Sequence, residues 1–344
     1  MEKVLEMKMH DLSGKKVLVF GGAGFVGSQL VRNLLTHGSK VIVYDNFIHG
    51  TEENLEEIKT DIEIVVGDVL EPWQLSQVFK DHKPEYVFDL VAETYVPTAY
   101  SAMRRTLTTN IEGTLNILST AHQFDVKRLL YVSTTELYGN ARTEKISEDH
   151  QIDPFNTYAV TKMVADRLCF TMHKEHGIPL VIARFFNSYG PRETEPYVIP
   201  DIISQFAKQS WVELGNVEAR RDFTYVEESA EALIQLIESD IPDGEAVNVG
   251  SGITYSVKEL ASRIAGIMGK PADIRVDPKR FRKYDIDVFS ADITKLKKYT
   301  GWEPKIDIDS GLRMTIDWYK MHGEKWSWEK WAKGKVEGGD GRRR

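Results

Sequence analysis

The sequence predicts an α/β protein built around a doubly wound parallel sheet. Along the first half of the 344-residue chain, short runs rich in Val, Ile and Leu alternate with longer stretches of helical periodicity. These runs are continuously apolar, which is typical of strands that are buried on both faces of a sheet. A glycine-rich turn also joins the first apolar run directly to the first helical stretch. Strands and helices that alternate in this way form a parallel sheet with helices on both faces.

The first half of the chain supplies most of the predicted sheet. Each predicted strand is a short, mostly apolar run, and each predicted helix has apolar residues at helical spacing. The predicted strands cover residues 16–20, 40–44, 62–66, 86–91, 128–132 and 179–183. The predicted helices cover residues 25–37, 102–124 and 157–176.

The pattern loosens after residue 184, where Pro and Gly become frequent. A further strand is predicted at 246–250, and further helices are predicted at 200–209, 227–239, 257–268 and 312–321. This part is expected to form a smaller, mixed α/β substrate-binding domain. The predicted domains are residues 14–186, to which segments near 222–250 return, and residues 187–321, followed by a tail at 322–344 with a disordered end.

The composition limits the class of protein. The 44 Lys and Arg residues are outnumbered by 52 Asp and Glu residues, which gives a formal net charge of −8, so a nucleic-acid-binding protein is not expected. No apolar run approaches the roughly 18 residues of a membrane-spanning helix, so no membrane association is expected. The single cysteine, Cys169, excludes a disulfide within the chain and favours a reducing, cytoplasmic compartment. The nine histidines show no metal-binding spacing, so no metal is predicted.

The glycine-rich turn has the spacing of a dinucleotide-binding loop. Gly21, Gly24 and Gly27 stand between the first predicted strand and helix, where glycines permit a tight turn and the close approach of a pyrophosphate. Asp45 ends the next strand, about 20 residues further on. A carboxylate there accepts hydrogen bonds from ribose hydroxyls and repels a 2′-phosphate. The loop therefore predicts NAD rather than NADP, and the alternative is a glycine turn without a ligand.

Asp68 ends the third predicted strand. Its carboxylate could accept a hydrogen bond from the adenine amino group of the cofactor, or it could cap the next helix. Further positions in the glycine loop and after the strand ends are expected to line the same site. They are Phe25, Val26, Asn46, Val69, Leu90 and Ala92.

Tyr158 and Lys162 are four residues apart on a predicted helix and therefore share one face. This spacing alone is common by chance, but Thr134 stands just beyond a strand end, where the sites of doubly wound sheets lie. We predict that the lysine ammonium and the positive nicotinamide ring of NAD⁺ lower the pKa of Tyr158 from about 10. The phenolate would then take a proton from a sugar hydroxyl, to which Thr134 can hydrogen-bond.

Six features in a fixed order resemble a known family. They are GGAGFVG at 21–27, the strand end at Asp45, YVSTTELYG at 131–139, YAVTK at 158–162, RFFNSYGPR at 184–192 and RRDFTYV at 220–226. Over residues 14–321 the chain is similar to the extended short-chain dehydrogenase/reductases that modify nucleotide-diphosphate sugars. The resemblance implies a Rossmann-like fold, bound NAD and transient oxidation of the sugar at C4. It also implies a homodimer, in which the helices at 102–124 and 157–176 form a four-helix bundle with a second copy.

The resemblance also assigns roles to individual residues. Thr134, Tyr158 and Lys162 would form the catalytic core. The residues implied in binding the nucleotide-diphosphate sugar are Thr134, Thr135, Asn187, Val198, Arg221 and Arg282. Among these, Asn187 and the two arginines would hold the diphosphate, for which a guanidinium is well suited. Val198 would lie beside the nucleotide base.

Several reactions of the family share a 4-keto intermediate and differ in the fate of that intermediate. Dehydratases of the family carry Thr-Asp-Glu or Thr-Ser-Glu where simple 4-epimerases usually lack the glutamate. Glu136 therefore suggests the base that removes the C5 proton in a 4,6-dehydratase, which is the predicted activity, although it could merely orient the substrate. Thr135 is not the aspartate that serves as the C6 acid in one dehydratase subgroup. A 4-epimerase is the main alternative, and a UDP-uronic acid decarboxylase or an NAD-binding regulator without turnover also stays open.

Overall fold

The central sheet has seven parallel strands in the part of the chain that the computed structural model describes, residues 10–281, 288–323 and 325–328. The strands in chain order are β1 (Lys16–Phe20), β2 (Lys40–Asp45), β3 (Glu63–Val66), β4 (Tyr86–Asp89), β5 (Arg128–Thr134), β6 (Leu180–Phe185), β7 (Asn187–Tyr189), β8 (Trp211–Leu214), β9 (Arg220–Tyr225), β10 (Ala246–Val249), β11 (Thr254–Ser256) and β12 (Asp273–Val276). Across the sheet the order is β10-β6-β5-β4-β1-β2-β3. The chain thus builds the sheet outward in both directions from β1, which confirms the predicted doubly wound α/β fold.

Helices cover both faces of this sheet. The helices in chain order are α1 (Phe25–Thr36), α2 (Pro72–His82), α3 (Val96–Ser101), α4 (Met103–Leu107), α5 (Thr114–Gln123), α6 (Thr157–His176), α7 (Val198–Lys208), α8 (Val226–Glu238), α9 (Val257–Met268), α10 (Thr294–Thr300) and α11 (Ile308–Met321). Strand β1 shows the two layers directly, because Val17 and Val19 join a core with α1 and α8. The alternate residues Leu18 and Phe20 join a second core with α2, α5 and α6.

A smaller group of elements surrounds its own core. Strands β11, β9 and β7 form one small sheet, and β8 pairs with β12 in another. Apolar side chains of α7, α9 and α11, such as Phe206, Ile264 and Leu312, pack together beside them. Strand β10 and helix α8 come late in the chain, yet they pack with the large sheet. The large sheet and its helical layers are therefore built from segments that are distant in sequence.

The structure contains elements that were not predicted, namely strands β7, β8, β9, β11 and β12 and helices α2, α3 and α10. The helix predicted at 102–124 is one helical stretch from α4 to α5, but its middle, Thr108–Gly113, is a π-helical segment. Helix α2 was not predicted, because only Leu75, Val78 and Phe79 of its residues are buried. Arg282 and the end of the predicted tail lie outside the described residues. Among the helices of the described ranges, none is both long and apolar enough to cross a bilayer.

Candidate active site

A cavity of about 850 Å³ opens where the central strands end. Its walls contain the first residues after β1, β2 and β4 and the ends of β5 and β6, which is where doubly wound sheets bind their ligands. Every predicted site residue within the described ranges lines this cavity. On the cofactor side they are Gly21, Gly24, Phe25, Val26, Gly27, Asp45, Asn46, Asp68, Val69, Leu90 and Ala92, and on the other side Thr134, Thr135, Glu136, Tyr158, Lys162, Asn187, Val198 and Arg221.

The glycine loop forms a cradle that larger side chains would fill. Gly21 has φ +75°, a left-handed conformation that favours glycine. A Cβ atom on Gly27 would lie 2.1 Å from the Gly21 carbonyl oxygen, so α1 could not approach the loop so closely. Gly24 is the N-cap of α1 and no side chain caps this helix end. The first backbone N–H groups of α1 therefore face the cavity with their partial positive charge, as a phosphate requires.

Asp45 and Asp68 stand side by side at the ends of β2 and β3. Asp45 accepts hydrogen bonds from the backbone N–H groups of Ala23 and Phe47, each at 2.9 Å. Burial raises the pKa of Asp45, and these hydrogen bonds oppose that rise. The Asp68 carboxylate accepts hydrogen bonds from the Leu70 N–H at 2.9 Å and from Asn46 Nδ2 at 3.1 Å.

The alternative role of Asp68 as a helix cap does not fit this geometry. Helix α2 begins at Pro72, and its N-cap is Glu71. Asp68 instead closes a turn through Leu70 and remains on the cavity wall beside Asn46.

The reactive side of the cavity is organised by Asn156, the N-cap of α6. Its side-chain oxygen accepts a hydrogen bond from the Ala159 N–H at 2.8 Å, which stabilises the start of the helix. Its Nδ2 donates to Glu136 Oε2 at 2.6 Å. The Glu136 N–H in turn donates to Thr134 Oγ1 at 3.3 Å. One side chain thus ties the carboxylate of Glu136 to the helix that carries Tyr158.

Burial and two neighbouring side chains set the pKa of Tyr158 in this structure. Burial raises the pKa of Tyr158, a hydrogen bond with Thr134 opposes that rise, and the negative charge of Glu136 adds to it. Lys162 Nζ instead donates to the Val132 carbonyl at 2.6 Å and lies 4.3 Å from the centre of the Tyr131 ring. The ammonium is thus directed at β5 rather than at the phenol. A joint lowering of the pKa of Tyr158 by Lys162 and NAD⁺ stays a prediction.

The substrate-side residues belong to the strands and helix of the smaller region. Asn187 Nδ2 donates to the Asp222 carbonyl at 3.3 Å, and Val198 is the first residue of α7. Arg221 donates to the Arg220 carbonyl at 2.9 Å, and its guanidinium lies 5.4 Å from the Phe289 ring centre. These contacts hold the amide and the guanidinium on the cavity wall, opposite the glycine loop.

The sequence patterns missed a charged network, of which His49, Glu93 and Arg105 line the cavity. His49 Nδ1 lies 3.0 Å from Glu195 Oε1, and His49 Nε2 lies 2.9 Å from the Glu93 carboxylate. Arg105 makes a 2.5 Å ion pair with Glu93. Burial disfavours the charged imidazole, but the hydrogen bonds to Glu195 and Glu93 outweigh it and raise the pKa of His49 to about 9. His49 and Glu93 each lie four residues beyond a strand end, of β2 and β4, which is the signal that could have found them.

Similarity to known proteins agrees with this site. Residues 18–315 match a family model described as GDP-mannose 4,6 dehydratase. The chain is 31% identical over 321 residues to the UDP-N-acetyl-alpha-D-glucosaminuronate decarboxylase of Bacillus cytotoxicus, covering 89% of this chain and 98% of that protein.

Solved structures show the same similarity. The structure of UDP-glucose 4-epimerase from Thermotoga maritima with UDP-glucose has a TM-score of 0.83 at 29% identity, covering 89% of this chain and 99% of that one. The dTDP-glucose 4,6-dehydratase of Streptomyces venezuelae, with NAD and TYD bound, has a TM-score of 0.85 at 25% identity, covering 90% and 98%. The chain therefore belongs to the NAD-dependent nucleotide-sugar epimerase/dehydratase family.

Proposed function

We propose that this protein is an NAD-dependent 4,6-dehydratase of a nucleotide-diphosphate sugar, with Glu136 as the base at C5. The observation that carries the proposal is the placement of a carboxylate beside the phenol. Glu136 and Tyr158 line one cavity, and the Glu136 charge acts on the pKa of Tyr158. A 4-epimerase needs no such base, because it only removes and returns hydride at C4.

The residues of the glycine loop fit an NAD molecule. The cradle at Gly21 and Gly27 and the uncapped start of α1 suit the pyrophosphate. The Asp45 carboxylate suits the adenosine ribose, and Asp68 and Asn46 would lie near the adenine. When bound, NAD⁺ would supply the hydride acceptor for oxidation at C4 and would return the hydride after the sugar has lost water.

The residues of this chain would move the protons. Tyr158 Oη would accept the proton of the C4 hydroxyl, with Thr134 hydrogen-bonded to the same hydroxyl. The resulting 4-keto group acidifies the C5 hydrogen, and the Glu136 carboxylate would take that proton. The protonated Glu136 would then pass it to the C6 hydroxyl, which leaves as water. Lys162 would hold positive charge beside this site. Asn187 and Arg221, together with Arg282, would hold the diphosphate, and Val198 would lie beside the base.

A 4-epimerase is the second candidate, and Thr135 favours it. Thr135 is 4% exposed and lines the cavity where one dehydratase subgroup carries a C6 acid. A threonine hydroxyl is a poor acid, so water would have to leave with another proton donor. The Glu136 carboxylate, once it has taken the proton from C5, could supply that proton to the leaving water.

Product masses distinguish the candidates. The purified protein is incubated with NAD and a panel of UDP-, GDP-, CDP- and dTDP-sugars, including UDP-uronic acids. We expect a product that is lighter by one water molecule. An isomer of unchanged mass would replace the dehydratase by the epimerase, loss of carbon dioxide would indicate a decarboxylase, and no product from any sugar would favour a regulator.

We also propose a cytoplasmic homodimer. The helical stretch from α4 to α5 packs beside α6, and together these helices expose Met103, Leu107, Leu115 and Val160. Met103 is 57% exposed and Leu107 is 44% exposed. A second copy of the chain that packs the same helices against this face would remove these side chains from water.

A further inference from the structure

A buried ammonium lies on the cavity wall at its reactive side. Lys162 is only 3% exposed. Its Nζ has two close neighbours, the Val132 carbonyl at 2.6 Å and the face of the Tyr131 ring at 4.3 Å. A carbonyl dipole and a ring face stabilise a cation only in part. A buried ammonium of this kind normally requires a nearby negative charge.

Asp89 supplies a negative charge on the next strand. It ends β4, pairs in register with Tyr131 of β5, and is 1% exposed. Its Oδ1 accepts a hydrogen bond from the Val91 N–H at 3.1 Å. Its Oδ2 makes no well-formed hydrogen bond to any of the described residues, although the nearby Thr114 hydroxyl also favours its ionised form. A fully buried carboxylate with one unbonded oxygen is itself unstable without a nearby cation, and Lys162 is the charge that favours its ionised form.

The other carboxylate near Lys162 is already compensated. Asp166 Oδ1 accepts from Arg184 Nη2 at 2.9 Å, and Asp166 Oδ2 accepts from Arg184 Nε at 3.0 Å. Ser133 Oγ donates to Asp166 Oδ2 at 2.7 Å. This bidentate pair carries no net charge. Asp89 is therefore the carboxylate whose charge Lys162 balances.

We propose that Asp89 is the buried counter-ion of Lys162, a positioning residue that keeps the lysine protonated in the active site. The inference rests on the proposed function, in which the ammonium charge is needed beside the reacting sugar. Asp89 does not line the cavity with the reactive side chains, so it would act only through Lys162.

The charges around this pair give the pH range in which it exists. Burial lowers the pKa of Lys162 to about 8, and Asp89 opposes that fall. Burial raises the pKa of Asp89 to about 6, and Lys162 opposes that rise. Tyr131 and Cys169, which face the pair from β5 and α6, have pKa values raised by burial and stay neutral. Both groups are therefore charged between about pH 6 and pH 8. The Asp166–Arg184 pair adds no net charge in this range.

The inference can be tested without turnover, by NMR of the full-length protein with ¹³C-labelled lysine. The Lys162 Cε signal is assigned by its loss in Lys162→Met. We expect the wild-type signal to change twice with pH, near pH 8 as Lys162 itself titrates and near pH 6 as Asp89 is protonated. A wild-type signal without the change near pH 6 would overturn the inference, and this measurement needs no variant of Asp89.

The substitution Asp89→Asn gives an independent test. It should abolish the change near pH 6 and lower the pKa of Lys162 by about 1, and the alkaline limb of kcat should move to lower pH with it. Asp81→Asn removes the same charge from the exposed end of α2 and should change neither. An unchanged Lys162 pKa in folded Asp89→Asn would refute the counter-ion role. Since the NMR titration requires no substrate, its result does not depend on whether the mass panel finds a dehydrated product.

Discussion

Replacing Glu136 with glutamine should separate the two halves of the proposed reaction. Glutamine has nearly the same shape as glutamate, and its side-chain oxygen can still accept the hydrogen bond that Asn156 Nδ2 donates at 2.6 Å. The amide cannot accept the C5 proton, however. We therefore expect Glu136→Gln to oxidise the sugar at C4 but to fail at the loss of water.

The size of the effect depends on the role of the carboxylate. A positioned general base contributes about 10²–10⁴-fold to a rate. The rate of formation of the dehydrated product should therefore fall by that factor, which corresponds to a barrier about 2.7–5.4 kcal/mol higher. The oxidation step should change in the opposite direction. The negative charge of Glu136 raises the pKa of Tyr158, so removing it lowers that pKa and should make the phenolate easier to form.

Two measurements on the same variant monitor the two steps. Stopped-flow absorbance reports the reduced nicotinamide, which should accumulate in Glu136→Gln, and mass spectrometry reports the loss of water. Glu144→Gln, at an exposed position away from the cavity, is the matched control and should behave as wild type. Dehydration by Glu136→Gln at the wild-type rate would refute the base assignment. Loss of both steps together would mean that Glu136 orients the substrate instead.

Three further substitutions test other parts of the site and the proposed dimer. Gly27→Ala places a Cβ atom 2.1 Å from the Gly21 carbonyl oxygen and should weaken NAD binding at least about tenfold in calorimetry; unchanged affinity would contradict the cradle. Tyr158→Phe should lower kcat by about 10²-fold or more and leave NAD affinity unchanged, and surviving activity would show that another group takes the proton. Leu107→Glu should convert the dimer to a monomer in light scattering, whereas an unchanged mass would exclude this face.

The positions of the glycine loop and the strand ends could be predicted because their signals are local. A glycine triplet between a strand and a helix is typical of a dinucleotide-binding loop. Asp45 and Thr134 stand at the ends of strands that the apolar runs alone predict. Parallel strands bring their carboxyl ends to one edge of the sheet. Residues that are distant in sequence therefore meet at one cavity, and predicted residues from 21 to 221 line its walls.

The charged network and the shifted pKa values could not be predicted in this way. His49, Glu93 and Glu195 belong to three loops, and nothing in the local sequence pairs them. The raised pKa of Tyr158 results from burial and from the direction that the Lys162 side chain takes, neither of which can be read from residue spacing. The π-helical segment at Thr108–Gly113 is hidden for a related reason, since its apolar spacing resembles that of an ordinary helix.

The distribution of charge in the cavity also gives the substrate a direction. Arg221 lines the cavity beside the smaller domain, whereas Glu136 lies beside the phenol of Tyr158. In the proposed function, the negative diphosphate would be attracted to the guanidinium and repelled by the carboxylate, and both effects would favour its binding at the Arg221 end. The attached sugar would then reach the reactive end. The net charge of −8 does not oppose this binding, because the local field inside a cleft depends on the charges that line it.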